Sequence, residues 1–104
     1  MNKNQLPLNI RVQKFIVGYL ENHYHTDICD TQLHDEFFQE FGGKRKRANW
    51  GAERVYKISF WLKRLFDEGV LDRGIVSLSG SWHPGFPKWV YGYTLSKSWK
   101  ANVK

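Results

Sequence analysis

Residues 42–65, GGKRKRANWGAERVYKISFWLKRL, decide how the chain is read. Four bases, Lys44 to Arg47, open the stretch, and apolar residues then recur every third or fourth position. Placed at 100° per residue, Val55, Ile58, Leu62, Leu65 and Phe66 share one side of a helix. Glu53, Tyr56, Lys57, Phe60 and Arg64 fall on the opposite side, with Arg54 and Lys63 on the flanks. Asn49 is the expected N-cap, and KRKRAN is the loop that leads into it. Gly69 is the expected left-handed residue that ends the helix.

Outward from this stretch the pattern stays legible. Upstream, residues 8–23, LNIRVQKFIVGYLENH, read as a helix with Leu8, Val12, Phe15, Ile16, Tyr19 and Leu20 at helical spacing. The following HTDIC is too short for a helix and reads as extended, with Ile28 inward. Asp30 or Thr31 caps a second helix, TQLHDEFFQEF, which Gly42-Gly43 stops. Its apolar stripe is Leu33, Phe37 and Phe41, with Phe38 beside it.

Downstream of Gly69 the period changes. VLDRGIVSL and KWVYGYTLS are rich in β-branched and aromatic residues and read as two strands of a hairpin. In the second, Trp89, Tyr91, Tyr93 and Leu95 have one parity and line one face. The Gly- and Pro-rich SGSWHPGFP between them is a long loop. The tail, KSWKANVK, is expected to fray, with Trp99 able to dock on the core.

At 104 residues the chain is expected to be one domain, residues 1–104, with a core over about 8–96 and loose tails. Five Trp, five Tyr and seven Phe argue for a packed fold over disorder. No apolar run is long enough to cross a membrane. The N-terminal MNKNQLPLN lacks the apolar region of a secretion signal, and the single Cys29 suits a reducing compartment. A cytoplasmic or nucleoid-associated location is expected on these grounds.

The net charge of +6 is unevenly spread. From Asp27 to Glu40 there are five acids and no Lys or Arg; from Lys44 to Arg64 there are eight bases and one acid, Glu53. Such asymmetry makes a directed field and points to a polyanionic partner, against the plainer reading of a solvated basic surface.

The order of helix, short extended piece, helix, loop, helix and hairpin resembles the winged helix-turn-helix family of nucleic-acid-binding domains. The resemblance is carried by VYKISFWLKRLFDEGVLDRG, which is similar to the family's third helix running into its first wing strand. It is carried again by WVYGYTLS, similar to the returning strand with its Tyr93-Thr94-Leu95-Ser96 ending. It spans roughly residues 8–96 and implies an α+β fold, three helices followed by a two-stranded β-hairpin wing. Two features depart from it. The GGKRKRAN loop is longer than the usual turn, and the wing carries Trp82, His83 and Phe86 where Lys and Arg are more ordinary.

The resemblance implies that the start of the third helix enters the major groove of double-stranded DNA. Lys44, Arg45, Lys46 and Arg47 are then expected on phosphates, where they set affinity and register. Arg54 and Lys57 are candidates for guanine edges, and Arg64 lies on the same free side. Asn49 either reads adenine or only caps the helix, and Glu53 either accepts from cytosine or pairs with Lys57 at i,i+4. Trp50 and Tyr56 pack on sugar or a thymine methyl, or cover the core edge. Arg73 and Lys88 are expected on phosphates at the wing base. Trp82 and His83 reach the minor groove or stack on a base, unless Pro84 and Pro87 stiffen a loop that folds back.

The expected function is a small transcriptional regulator of phage or mobile-element type, with a homodimer as one option. RNA binding is the rival, and a protein-interaction module using Phe60 and Trp61 the third reading. No enzyme and no cofactor are expected. His23, His25, Cys29 and His34 are zinc-ligand types, but their H-x-H-x3-C-x4-H spacing fits no standard site, so no metal is expected. Asp35-Glu36 and the serines near residue 79 lack a positioned base, and Gly42-Gly43-Lys44 lacks the spacing of a phosphate loop.

Overall fold

A computed structural model describes residues 6–47, 53–55, 57–78 and 87–102. Along the chain these form α1 (Leu8–His23), α2 (Thr31–Phe41), β1 (Arg45–Arg47), β2 (Glu53–Val55), α3 (Lys57–Asp67), β3 (Leu71–Ser77), β4 (Trp89–Leu95) and α4 (Lys97–Asn102). The class is α+β, with β1–β2 and β3–β4 as separate antiparallel pairs.

Helix α1 starts at Pro7, whose carbonyl accepts from the Ile10 and Arg11 amides, each at 3.1 Å. Val12, Ile16, Tyr19 and Leu20 are its buried side, and Phe15 packs edge-on against Phe37 and Phe41. Leu8, counted in the stripe from its spacing, is exposed because it stands in the first turn, before the core begins. Asp30 caps α2 by accepting from the Leu33 amide at 3.3 Å. Its other carboxylate oxygen accepts from the Tyr19 and Thr26 hydroxyls, each at 2.7 Å. One side chain therefore joins α1, the extended link and α2. Gly42, at φ 71°, ends α2 with its amide on the Phe38 carbonyl at 2.7 Å.

The extended reading of HTDIC holds at Thr26. It exchanges both backbone hydrogen bonds with Tyr93, at 3.0 and 2.8 Å, and so adds one rung to the free edge of β4. The hairpin runs in register from Leu71↔Leu95 to Ser77↔Trp89. Gly69, at φ 83°, turns the chain out of α3, and the Val70 amide closes the helix on the Leu65 carbonyl at 2.9 Å.

The third helix departs from expectation. It begins at Lys57, not just after Asn49. Glu53–Val55 is a strand, paired with Arg45–Arg47 in the register Arg45↔Val55, Lys46↔Arg54 and Arg47↔Glu53. Arg45–Arg47 is therefore a strand where a loop was expected, and Glu53 lies in a strand outside α3. Val55 is still buried, but from a strand. Trp61, named with Phe60 as a possible partner surface, is in the core.

The tail differs too. Residues 97–102 form α4, the Ser96 hydroxyl accepts from the Trp99 amide at 3.4 Å, and Trp99 packs on the core. That core is one cluster, drawn from α1, α2, β2, α3, the start of β3 and Tyr93 of β4.

Candidate nucleic-acid interface

The bases of residues 44–57 stand on and beside a two-stranded ribbon. Lys46 and Arg54 oppose each other directly across one rung. Lys44, Lys46 and Arg47 are exposed, as is Lys57 at the first turn of α3.

Arg45 has a different place from its neighbours. Its Nη2 lies 2.7 Å from Asp35 Oδ1, and its guanidinium stacks over the Phe38 ring at 4.6 Å. It fastens the ribbon to α2. Nε of Arg54 is buried with no hydrogen-bond partner among the described residues, in a side chain of intermediate exposure.

The second fastening is His34, a residue that entered the sequence reading only as an unlikely zinc ligand. It is almost fully buried. Its Nδ1 accepts from the Val55 amide at 2.9 Å, which requires that Nε2 carry the proton and donate to the Ile28 carbonyl at 2.8 Å. Burial lowers the His34 pKa, and the nearby Arg54 and Arg45 charges push the same way, against an opposing push from the Ile28 carbonyl and Asp30. The imidazole is thus held neutral in the tautomer that pins β2 to the start of α2. The signal in the sequence was its place beside Leu33, one turn before Phe37 and Phe38.

Other expected contacts are engaged within the protein. Arg64 pairs with Glu68 at 3.1 Å and lies 5.4 Å over the Trp61 ring. Lys57 Nζ lies 5.2 Å over Phe60, which contacts Trp61 edge-on. Arg73 is sandwiched between Phe66 and Tyr91, 4.0 Å from each ring centre. Lys88 is exposed at the foot of β4. Asn49, Trp50, Tyr56, Trp82 and His83 lie outside the described residues.

The His/Cys set is dispersed among structural tasks. His23 Nδ1 is 2.8 Å from the Tyr19 carbonyl, with its ring stacked on Tyr19. His25 approaches Asp27 at 4.0 Å, and His34 is the pin just described. The Cys29 thiol is pushed up, first by burial and then by Asp27, which disfavours a thiolate. Among the described residues no group of three or more His, Cys, Asp or Glu is placed to hold a metal. A surface depression of about 560 Å³ lies at the end of α1, lined by residues 20–24 and Leu95. Its Asn22 amide is bonded to the Gly18 carbonyl and its His23 to Tyr19, so those polar groups serve the helix end.

No protein-family model, curated protein or solved structure matches the chain. No helix among the described residues is long and apolar enough to cross a membrane.

Proposed function

We propose that the protein binds double-stranded DNA and acts as a small transcriptional regulator built on a winged-helix plan. The observation that carries this reading is the basic ribbon β1–β2, fastened to α2 by His34 and by the Arg45–Asp35 pair. The B-form major groove admits a two-stranded ribbon as well as a helix. A ribbon that presents Lys46 and Arg47, with Lys57 beyond it at the start of α3, suits a track of phosphates flanking such a groove. The β3–β4 hairpin after α3, with Thr26 bridging to Tyr93, supports the winged-helix resemblance. The ribbon inserted between α2 and α3 takes the place of the longer loop noted in the sequence. Regulation would follow from occlusion of the bound site.

DNA is favoured over RNA because the A-form major groove is deep and narrow, and closed to a ribbon of side chains. The deciding experiment is selection from random duplex DNA and random RNA pools in parallel, followed by affinity measurements on Lys46→Gln and Arg47→Gln. An enriched duplex motif, with both variants weakened on every duplex, is the expected result. Enrichment of RNA loops, or unchanged duplex affinity in both variants, would overturn the reading. An inverted repeat in the selected site would indicate a two-fold dimer, and a single short site a monomer.

A further inference from the structure

The outer end of the β3–β4 hairpin carries aromatic surface that the core does not use. Ile75 is 70% exposed, Trp89 50% and Tyr91 37%. They have one strand parity, with Ile75 directly across from Tyr91 and Trp89 two residues before it. The Trp89 and Tyr91 rings meet edge-to-face at 5.1 Å. Arg73, on the same face, lies 4.0 Å from the ring centres of both Tyr91 and Phe66. The backbone beneath is a continuous ladder, so the rings are mounted on a rigid element.

We infer that this face is a stacking platform for an unpaired nucleobase, so that the protein recognises junctions of duplex with single-stranded DNA. The inference rests on the nucleic-acid reading above but uses a separate surface. The argument is one of shape and charge. Within a duplex the base faces are covered by their neighbours and only edges are open to contact; an exposed indole or phenol face can stack only on a base that is unpaired or terminal. Arg73 shares the face with the rings, and none of the same-parity positions of β3 and β4 is an acid. That charge matches the phosphates on either side of a stacked base. A second copy of the chain fits less well. A two-fold interface on this patch would bring the Arg73 of both copies to one apolar seam, with no carboxylate on the face to pair them.

The test compares a blunt DNA duplex with the same duplex carrying a short thymidine overhang, at one fixed salt concentration. Wild type, Trp89→Ala and Trp89→Phe are each titrated by fluorescence anisotropy of labelled DNA, with a thermal melt confirming that each variant folds. The overhang is expected to tighten wild-type binding by about five- to a hundredfold, the range for one stacked base. Trp89→Ala should abolish that gain while leaving the blunt duplex affinity unchanged, and Trp89→Phe should retain part of it. Equal wild-type affinity for the two DNAs would overturn the platform. So would an equal loss on both in Trp89→Ala, or sedimentation showing that Trp89→Ala converts a dimer to a monomer. Binding of the overhang DNA without binding of the blunt duplex would sustain the platform and sink the duplex reading instead.

Discussion

His34 shows how much can rest on one side chain. Both ring nitrogens are used, one on Ile28 and one on Val55, and the bond from the Val55 amide requires the neutral form. Its pKa in the folded protein is lowered, so below the ordinary value of 6.5 the unfolded chain binds a proton that the folded chain resists. The stabilisation from His34 is therefore present above about pH 6.5 and is lost as pH falls through that value and below. Thermal melts at pH 7.5 and pH 5 should show a drop for wild type, and a smaller one for His34→Gln. At pH 7.5, His34→Leu should itself cost about 1–3 kcal/mol, since the Val55 amide and Ile28 carbonyl lose their partners. A melting temperature unchanged by His34→Leu would show that the ribbon does not depend on this pin.

The elements differ in what fixes them. Helices α1 and α2 follow their apolar spacing and caps closely, whereas the β3–β4 hairpin also depends on one close approach. A Cβ built on Gly92 would lie 2.5 Å from His25 Nε2 and 2.7 Å from Val76 Cγ2. The His25 ring can swing away, but the Val76 methyl is held by the neighbouring strand. Gly92→Ala should cost about 1–3 kcal/mol through overpacking. Gly74, its cross-strand partner, has open space at the same construction, so Gly74→Ala should be much milder. Urea denaturation of the two variants checks the contrast, and equal losses would mean that strand propensity alone is being measured.

For the whole molecule the relevant quantity is where the charge goes. The +7 of residues 44–64 is partly spent inside the protein, on Asp35 through Arg45, on Asp67 through Lys63 and on Glu68 through Arg64. Exposed surface pairs of this kind contribute little stability, but they reduce the cation count facing a partner. The exposed bases of the ribbon and the start of α3 should set the salt dependence of duplex binding. Lys46→Gln and Arg47→Gln should each reduce the log-log salt slope by about 1, and Arg64→Gln by less. Affinity titrations at three salt concentrations measure this; identical slopes for all the variants would remove the ribbon from the phosphate track.

The sequence by itself determined the elements whose signals are local. The spacing of Val12, Ile16, Tyr19 and Leu20, the Asp30 cap, the stops at Gly42 and Gly69, and the switch to strand period after Gly69 all reappear in the fold. Each depends on residues a few positions apart. Residues 44–56 were ambiguous for a physical reason: Val55 satisfies a helical stripe with Ile58 and Leu62, and equally the inward side of a strand. Local spacing cannot separate the two. What separated them was a set of longer-range bonds: the ladder to Arg45–Arg47, the His34 bond to the Val55 amide across 21 residues, and the seat for Arg45 on Phe38 and Asp35. Tertiary structure likewise decided that Trp61 is core while Trp89 and Tyr91 stay exposed, because the end of the hairpin extends beyond the helices that cover Tyr93.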